Sequence, residues 1–374
     1  MSNWVAKAVA EINADFQRSA DTHMVKFEVA IAPERPIYLK DESTHPSGSL
    51  KHRLARSLFL YGLCNGWIRE NTTVIEASSG STAVSEAYFA RLLGLAFIAV
   101  VPATTSKQKI EQIEFYGGRC HLVAHGECIR EASQKLALQT GGHFMDQFTY
   151  AERATDWRGN NNIAESLFKQ LELEPYPIPS WVVVGAGTGG TSATIGRYIR
   201  YFSMDTKLCV VDPEYSAFFD TYSDPNCQAC AEPSQIEGIG RPTAEPSFVP
   251  TIVDRMYKVP DAQSLGAMLY LEDALGRRCG ASTGTNLIGV AQLIQESRAR
   301  QEATSTVSDK GPIVSLICDS GDRYCNTYFD SDWRNQNGME AAESFKAEIA
   351  SFFECGSPLP SVPMCEQSTA DQIA

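Results

Sequence analysis

Six short apolar runs, most of them followed by an amphipathic stretch, constrain this 374-residue chain more than any other feature. Runs 73–76, 97–101 and 119–124 lead into stretches with helical periodicity at 81–93, 106–116 and 127–139. Runs at 181–184 and 207–211 bracket a glycine loop and a helix that ends at Tyr201, and a sixth run spans 313–317. Strand, crossover helix and strand again is the pattern of a parallel sheet with helices on both faces, so the expected fold class is α/β. Further helices are expected at 157–173, 262–275 and 286–300, with one or two short helices in residues 1–30. Arg35-Pro36-Ile37-Tyr38-Leu39-Lys40 reads as an extended entry segment, 174–179 as a proline-stiffened connector, and 222–248 as a long loop. After Glu354 turn residues dominate, and a mobile tail is expected.

A chain of this length can bury a large core and form two domains. Its formal net charge of −13 argues against a general nucleic-acid binder. The longest nearly apolar run, 92–103, is broken by Gly94 and Pro102 and is too short to span a bilayer, so no membrane partner is expected. The N-terminal stretch carries Glu11 and Asp15 within an apolar pattern, unlike a signal peptide. Eleven cysteines, several inside apolar strands such as Leu208-Cys209-Val210, fit reduced thiols in the cytoplasm. Cys227 and Cys230 form one CxxC with no second pair at matching spacing, so two incidental thiols are expected rather than a metal site.

In such folds ligands collect at loops between strands and helices. His45-Pro46-Ser47-Gly48-Ser49-Leu50-Lys51-His52-Arg53 breaks regular structure, and Leu50, Leu54 and Leu58 then recur at four-residue spacing. A helix is therefore expected from near Ser49, with Lys51 in its first turn. The positive end of the helix dipole opposes a cation there, and burial opposes it further. Both favour a neutral, nucleophilic amine able to form a Schiff base; the alternative is a solvated surface lysine.

Gly185-Ala186-Gly187-Thr188-Gly189-Gly190-Thr191 follows a strand and opens a helix, where exposed N–H groups bind an anion such as phosphate. A tight helix-packing turn is the plainer reading. The same glycines also fit a dinucleotide fingerprint with Asp212 as ribose acceptor, which keeps an NAD-dependent oxidoreductase open. Ser78-Ser79-Gly80-Ser81-Thr82 either caps a helix or holds a carboxylate. Gly280-Ala281-Ser282-Thr283-Gly284-Thr285-Asn286 precedes another expected helix, and Cys318–324 reads as a turn.

Taken in order, these runs resemble the cysteine synthase and cystathionine β-synthase family of pyridoxal-phosphate enzymes, the fold type II group. The likeness extends from about Arg35 to Tyr324. It implies two domains, each with a mostly parallel sheet flanked by helices, and an active site in the cleft between them. The implied division is a large cofactor-binding domain of 1–35 plus 155–345, a small mobile domain of 36–154, and a tail of 346–374.

By the same resemblance Pro46, Ser49, Lys51 and Arg53 match the lysine motif, which makes Lys51 the Schiff-base lysine. Residues Ser78, Ser79, Gly80, Ser81 and Thr82 match the substrate-carboxylate loop, with Ser81 at the place that also meets the cofactor ring. Gln147 matches a second carboxylate contact and Gly238 a glycine segment near the cleft. Gly187, Thr188, Gly189, Gly190 and Thr191 match the cofactor-phosphate loop, and Ser282 matches the partner of the pyridine nitrogen. Asp212-Pro213 stands at a family acid-proline pair, which weighs against a ribose role.

Several positions depart from the synthase pattern. Ser81 replaces an asparagine, His45 replaces another, His52 replaces an aspartate, and the asparagine-rich run after Gln147-Phe148 is missing. These changes make the chain more similar to the single-domain L-cysteine desulfhydrases of the same superfamily. That likeness implies elimination of sulfide from L-cysteine, or from a related β-substituted alanine, with pyruvate and ammonia as the other products. Cysteine synthase (O-acetylserine sulfhydrylase) chemistry is the alternative. A homodimer is the implied assembly.

Overall fold

The computed structural model describes residues 2–19, 21–33, 35–224, 226–227, 234–304 and 311–367. In chain order, helix α1 (Asn3–Gln17) precedes strands β1 (Met24–Phe27) and β2 (Ile37–Asp41). Then come α2 (Lys51–Cys64), β3 (Val74–Glu76), α3 (Ser81–Leu92), β4 (Phe97–Pro102), α4 (Lys107–Phe115), β5 (Arg119–Val123), α5 (Ile129–Thr140), β6 (His143–Phe144) and α6 (Gln147–Ala154). They are followed by α7 (Ile163–Leu171), β7 (Trp181–Gly185), α8 (Gly190–Tyr201), β8 (Lys207–Pro213), α9 (Phe218–Ser223) and β9 (Arg255–Val259). The chain ends with α10 (Asp261–Leu275), α11 (Ala281–Thr304), β10 (Ile313–Ile317), α12 (Ser331–Gln336), α13 (Ala342–Cys355) and β11 (Met364–Glu366). Among the described residues no helix is long and apolar enough to cross a membrane.

Two compact units divide the chain: Met1–Asp21 with His45–Asp156, and Thr22–Thr44 with Trp157–Ala374. The first unit is built on a four-stranded, wholly parallel sheet in the order β5-β4-β3-β6. Side chains alternate across it, as strand geometry requires. Val74, Phe97, Ala99 and Val101 pack into one cluster with α1, α2 and α3, while Ile75, Val100 and Val123 meet Ala132 of α5 in another. Helix α1 enters this unit through the stripe Val5, Ala8 and Ile12. Its polar side fastens it too: Asp15 accepts from the Tyr88 hydroxyl at 2.9 Å, and Arg56 lies 4.4 Å from the Phe16 ring centre. Those contacts group residues 3–17 with 45–156, where the family division kept them with the other domain.

The second unit carries a seven-stranded sheet in the order β1-β2-β10-β7-β8-β9-β11. Its five inner strands run parallel, and β1 and β11 pair antiparallel at the two edges. Val183, Cys209, Val211 and Tyr257 face a core shared with α10, α11 and α13. Helix α8 runs along β7 and β8. All five residues of β10 are buried, as expected of a strand covered on both faces.

Several elements differ from the sequence expectation. The helix expected at 157–173 begins only at Ile163, because Asn160 and Asn161 adopt left-handed backbone and Asn162 caps the helix through Ala164 N and Glu165 N. Gln147 opens the unforeseen helix α6. Helix α11 starts at Ala281, five residues early, since the Thr285 hydroxyl bonds back to Ala281 O and so sits within a helix. Beyond Glu354 the chain forms edge strand β11 against β9. Cys230 lies outside the described residues.

Candidate active site

The segment leading to Lys51 is set by a tight polar cluster in the first unit. A turn closes with Gly48 N–H on His45 O at 2.7 Å, and the Tyr116 hydroxyl donates to Pro46 O at 2.7 Å. Buried Ser47 lies 3.0 Å from His52 Nδ1 and 2.8 Å from Ser85 Oγ, so it links the lysine segment to α3. The His52 ring stacks on His45 at 4.8 Å and packs against Phe89. Lys51 is the first residue of α2, half-buried, and no side chain caps that helix start. Nearby Ser49 is 1% exposed, and its hydroxyl meets no hydrogen-bond partner among the described residues. Arg53 pairs with Asp21 at 2.8 Å.

The serine loop lies between β3 and α3, also in the first unit. Ser78 Oγ accepts from Gly80 N at 3.2 Å, and Gly80 is the N-terminal cap residue without a side-chain cap. Thr82 donates to Gln147 Oε1 at 2.8 Å, joining two of the expected carboxylate contacts across 65 residues of sequence. That bond leaves the Gln147 Nε2 group to donate elsewhere. Beneath them lies Glu76, fully buried at the end of β3. One of its oxygens accepts from Ala77 N at 2.6 Å and the other from Gln147 N at 3.2 Å. Glu86 of α3 is equally buried. Burial pushes both carboxyls upward from the ordinary range, and for Glu86 the neighbouring Glu76 charge raises it further. The sequence reading missed this pair. Its only trace is a lone acid within the apolar stretch 83–90.

In the second unit the glycine loop joins β7 to α8. Thr188 is buried, and its hydroxyl accepts from Gly190 N at 3.2 Å. Gly189 caps α8 in a left-handed conformation with φ +87°, and no side chain covers the helix start. A β-carbon on Gly189 would stand 2.6 Å from Phe248 Cα, and one on Gly187 would overlap the Gly238 carbonyl oxygen. Backbone therefore presses on this loop from the 238–248 segment, and Gly240 N donates to Ala186 O at 2.8 Å.

Ser282 lies buried in the first turn of α11. Its turn is tied to the chain after β10: Thr283 Oγ1 accepts from Cys318 N at 3.0 Å, and Cys279 bridges to Ser320. Asp319 accepts from the Tyr324 hydroxyl at 2.7 Å, so the late turn of the sequence pattern buttresses the Ser282 segment. Asp212 is sealed in the interior, accepts from Phe219 N at 2.8 Å, and is pushed up to about 7 by burial. It holds a local turn, which removes it as a ribose acceptor.

Each unit thus gathers its own group of expected residues. Thr82 and Gln147 are bonded directly, Lys51 is tied to α3 through Ser47, and the glycine loop rests on the segment containing Gly238. The sequence profile described as "Pyridoxal-phosphate dependent enzyme" matches residues 20–319. The chain is 56% identical over 349 residues to L-cysteine desulfhydrase Cds1 of Mycobacterium tuberculosis, covering 91% of this chain and 92% of that protein. It is 23% identical over 326 residues to a cysteine synthase of Dictyostelium discoideum, covering 82% and 81%. Among solved structures, a hydrogen sulfide-producing enzyme from Fusobacterium nucleatum matches with a TM-score of 0.70 at 23% identity, covering 87% of this chain and 98% of that one.

Proposed function

The chain belongs to the pyridoxal-phosphate-dependent enzyme family, and we propose that within it the protein is an L-cysteine desulfhydrase. It eliminates hydrogen sulfide from L-cysteine, and addition of one water to the remaining three-carbon unit leaves pyruvate and ammonia. The 56% identity to a desulfhydrase across 91% of the chain carries this reading. The cofactor is pyridoxal 5'-phosphate, and the fold is the type II architecture of this enzyme group.

The residues present fit that cofactor. The start of α8 has no side-chain cap, and glycines stand where a β-carbon would collide with backbone, which suits a phosphate held by N–H groups at a helix N-terminus. When bound, the cofactor supplies an electron sink for charge developing at the substrate Cα. Lys51 would hold its aldehyde covalently, and its freed amine would take the Cα proton. Gly187, Thr188, Gly189, Gly190 and Thr191 would hold the phosphate. Ser282 would offer the pyridine nitrogen a neutral hydroxyl, and Ser81 would sit near the ring. Ser78, Ser79, Gly80, Thr82 and Gln147 would bind the substrate carboxylate, with Gly238 in a segment bordering the substrate.

Ten free thiols among the described residues support a reducing, cytoplasmic location, and the family pattern supports a homodimer. Incubating the holoenzyme with L-cysteine tests the reaction: sulfide and pyruvate appear in equal amounts, and sulfide without pyruvate would overturn it. Borohydride reduction followed by peptide mapping tests the lysine, with a pyridoxyl adduct expected on Lys51.

A further inference from the structure

Two buried acids in the first unit have no part in the chemistry assigned above. Glu76 ends β3 directly before the serine loop, and its two oxygens are both spent as acceptors, one on Ala77 N and one on Gln147 N. The Ala77 bond fixes where the serine loop leaves the sheet. The Gln147 bond fixes the first N–H of α6, where an anion is favoured by the helix dipole. The Thr82–Gln147 bond then closes a circuit from Glu76 through the loop to Gln147 and back. Both arms are acceptors, and the two N–H groups favour the ionised carboxylate against the burial that pushes Glu76 up to about 7.

Glu86, one helical turn after Thr82, is fully buried as well. Among the described residues no N–H or O–H group reaches either of its oxygens, and the group it interacts with is Glu76. A second buried carboxylate without donors would be costly, so this acid carries a proton. The other charge bearing on Glu76 is Asp146, just ahead of α6 and paired with Arg130 at 2.7 Å.

We propose that Glu76 is a positioning residue for the substrate carboxylate, kept ionised as a two-armed clamp on Ala77 and Gln147 by a proton held on Glu86. This rests on the assignment of the serine loop and Gln147 to that carboxylate. The one-proton arrangement also keeps a second negative charge away from the place where an anionic group is to bind.

The test uses the holoenzyme. Glu76→Gln replaces one acceptor oxygen with an amide that cannot accept. The KM for L-cysteine rises about tenfold while kcat stays within about threefold, the pattern of lost ground-state binding. The Kd for L-alanine, which has no leaving group, rises in parallel when read from the bound cofactor's absorbance. Glu86→Leu raises the same Kd, and Glu86→Gln, which retains a donor, restores most of it. Infrared spectra of the wild type show a buried protonated carboxyl that Glu86→Gln removes.

Unchanged Kd in both Glu76→Gln and Glu86→Leu overturns the clamp, as does a fall in kcat alone. A wild-type minus Glu86→Gln difference spectrum without a lost carboxyl band overturns the proton assignment. If Glu76→Gln does not fold, the two Glu86 variants supply the same readouts. A wild type that binds L-alanine but releases no sulfide from L-cysteine would sink the desulfhydrase reading and leave the clamp to be judged by Kd and infrared alone.

Discussion

In the unit built on the four-stranded sheet, loops are tied by side chains: Glu76 to Ala77 and Gln147, Thr82 to Gln147, and Ser47 to His52 and Ser85. In the seven-stranded unit, the glycine loop is held by backbone pressing on backbone, with Gly187 against Gly238 and Gly189 against Phe248. The difference fits the roles proposed for the two loops. A loop that gives N–H groups to a phosphate must bring main chain close, and a side chain would only intervene. A loop that meets an exchangeable substrate can be placed by buried polar groups, whose bonds have direction and whose charge depends on pH. One unit should therefore be sensitive to size and the other to protonation.

Gly187→Ala attacks the crowded loop directly. A methyl group overlapping the Gly238 carbonyl forces the segments apart, so stability falls by about 3 kcal/mol and cofactor content drops. Thermal melting of the apoprotein and the absorbance of the bound cofactor measure the two effects. A full cofactor complement in this variant would break the comparison.

Glu86→Gln probes the other unit through pH. Unfolded, Glu86 loses its proton near pH ~4.3; folded, it keeps the proton to well above that. Between those values unfolding releases a proton, so wild-type stability falls as pH rises. Glutamine has no proton to release. The variant therefore gains on the wild type with increasing pH, by up to about 1.4 kcal/mol for each pH unit in that window. Denaturant melts at pH 5 and pH 8 measure it, and a constant difference would count against a protonated Glu86.

Ser47→Ala removes the hydroxyl between His52 and Ser85 and should cost about 1 kcal/mol in denaturant melts. The smallest effect is expected at Gly80, where nothing lies within 4 Å of an added β-carbon and φ is −108°. Gly80→Ala should leave stability within about 0.5 kcal/mol, in contrast with the same substitution at Gly187.

The inner strands were legible because strands buried on both faces are apolar throughout, as at 181–184 and 313–317. Lys51 in the first turn of α2 and the strand-loop-helix setting of Gly187 were legible for a similar reason, since leucine spacing and glycine rules act locally. Strand β9 was not. Its Arg255 is buried 5.0 Å from the Trp181 ring centre and paired with Glu296 and Glu366, partners that lie far along the chain. Two-residue β6 and edge strands β1 and β11 are too short or too exposed to carry a period. The Glu76–Glu86 pair was hidden likewise, because a sequence shows an acid in an apolar helix but not what it faces. The loop residues left elimination against synthesis open, and the 56% identity to a desulfhydrase beside 23% to a synthase supports the proposed elimination.

The strand order of the larger sheet has a consequence for how the chain is made. Strand β2 pairs inward only with β10, which is 272 residues further on, counting from Asp41 to Ile313. On a ribosome adding about 5–20 residues per second, the β1–β2 hairpin waits roughly 15 to 55 s for its neighbour. An isolated hairpin is marginal in water. During that interval the nascent polypeptide has completed the unit ending at Asp156 but exposes a strand edge with nothing to receive it. Production in a heterologous host should therefore depend on translation speed and on chaperones that shield that edge until β10 emerges.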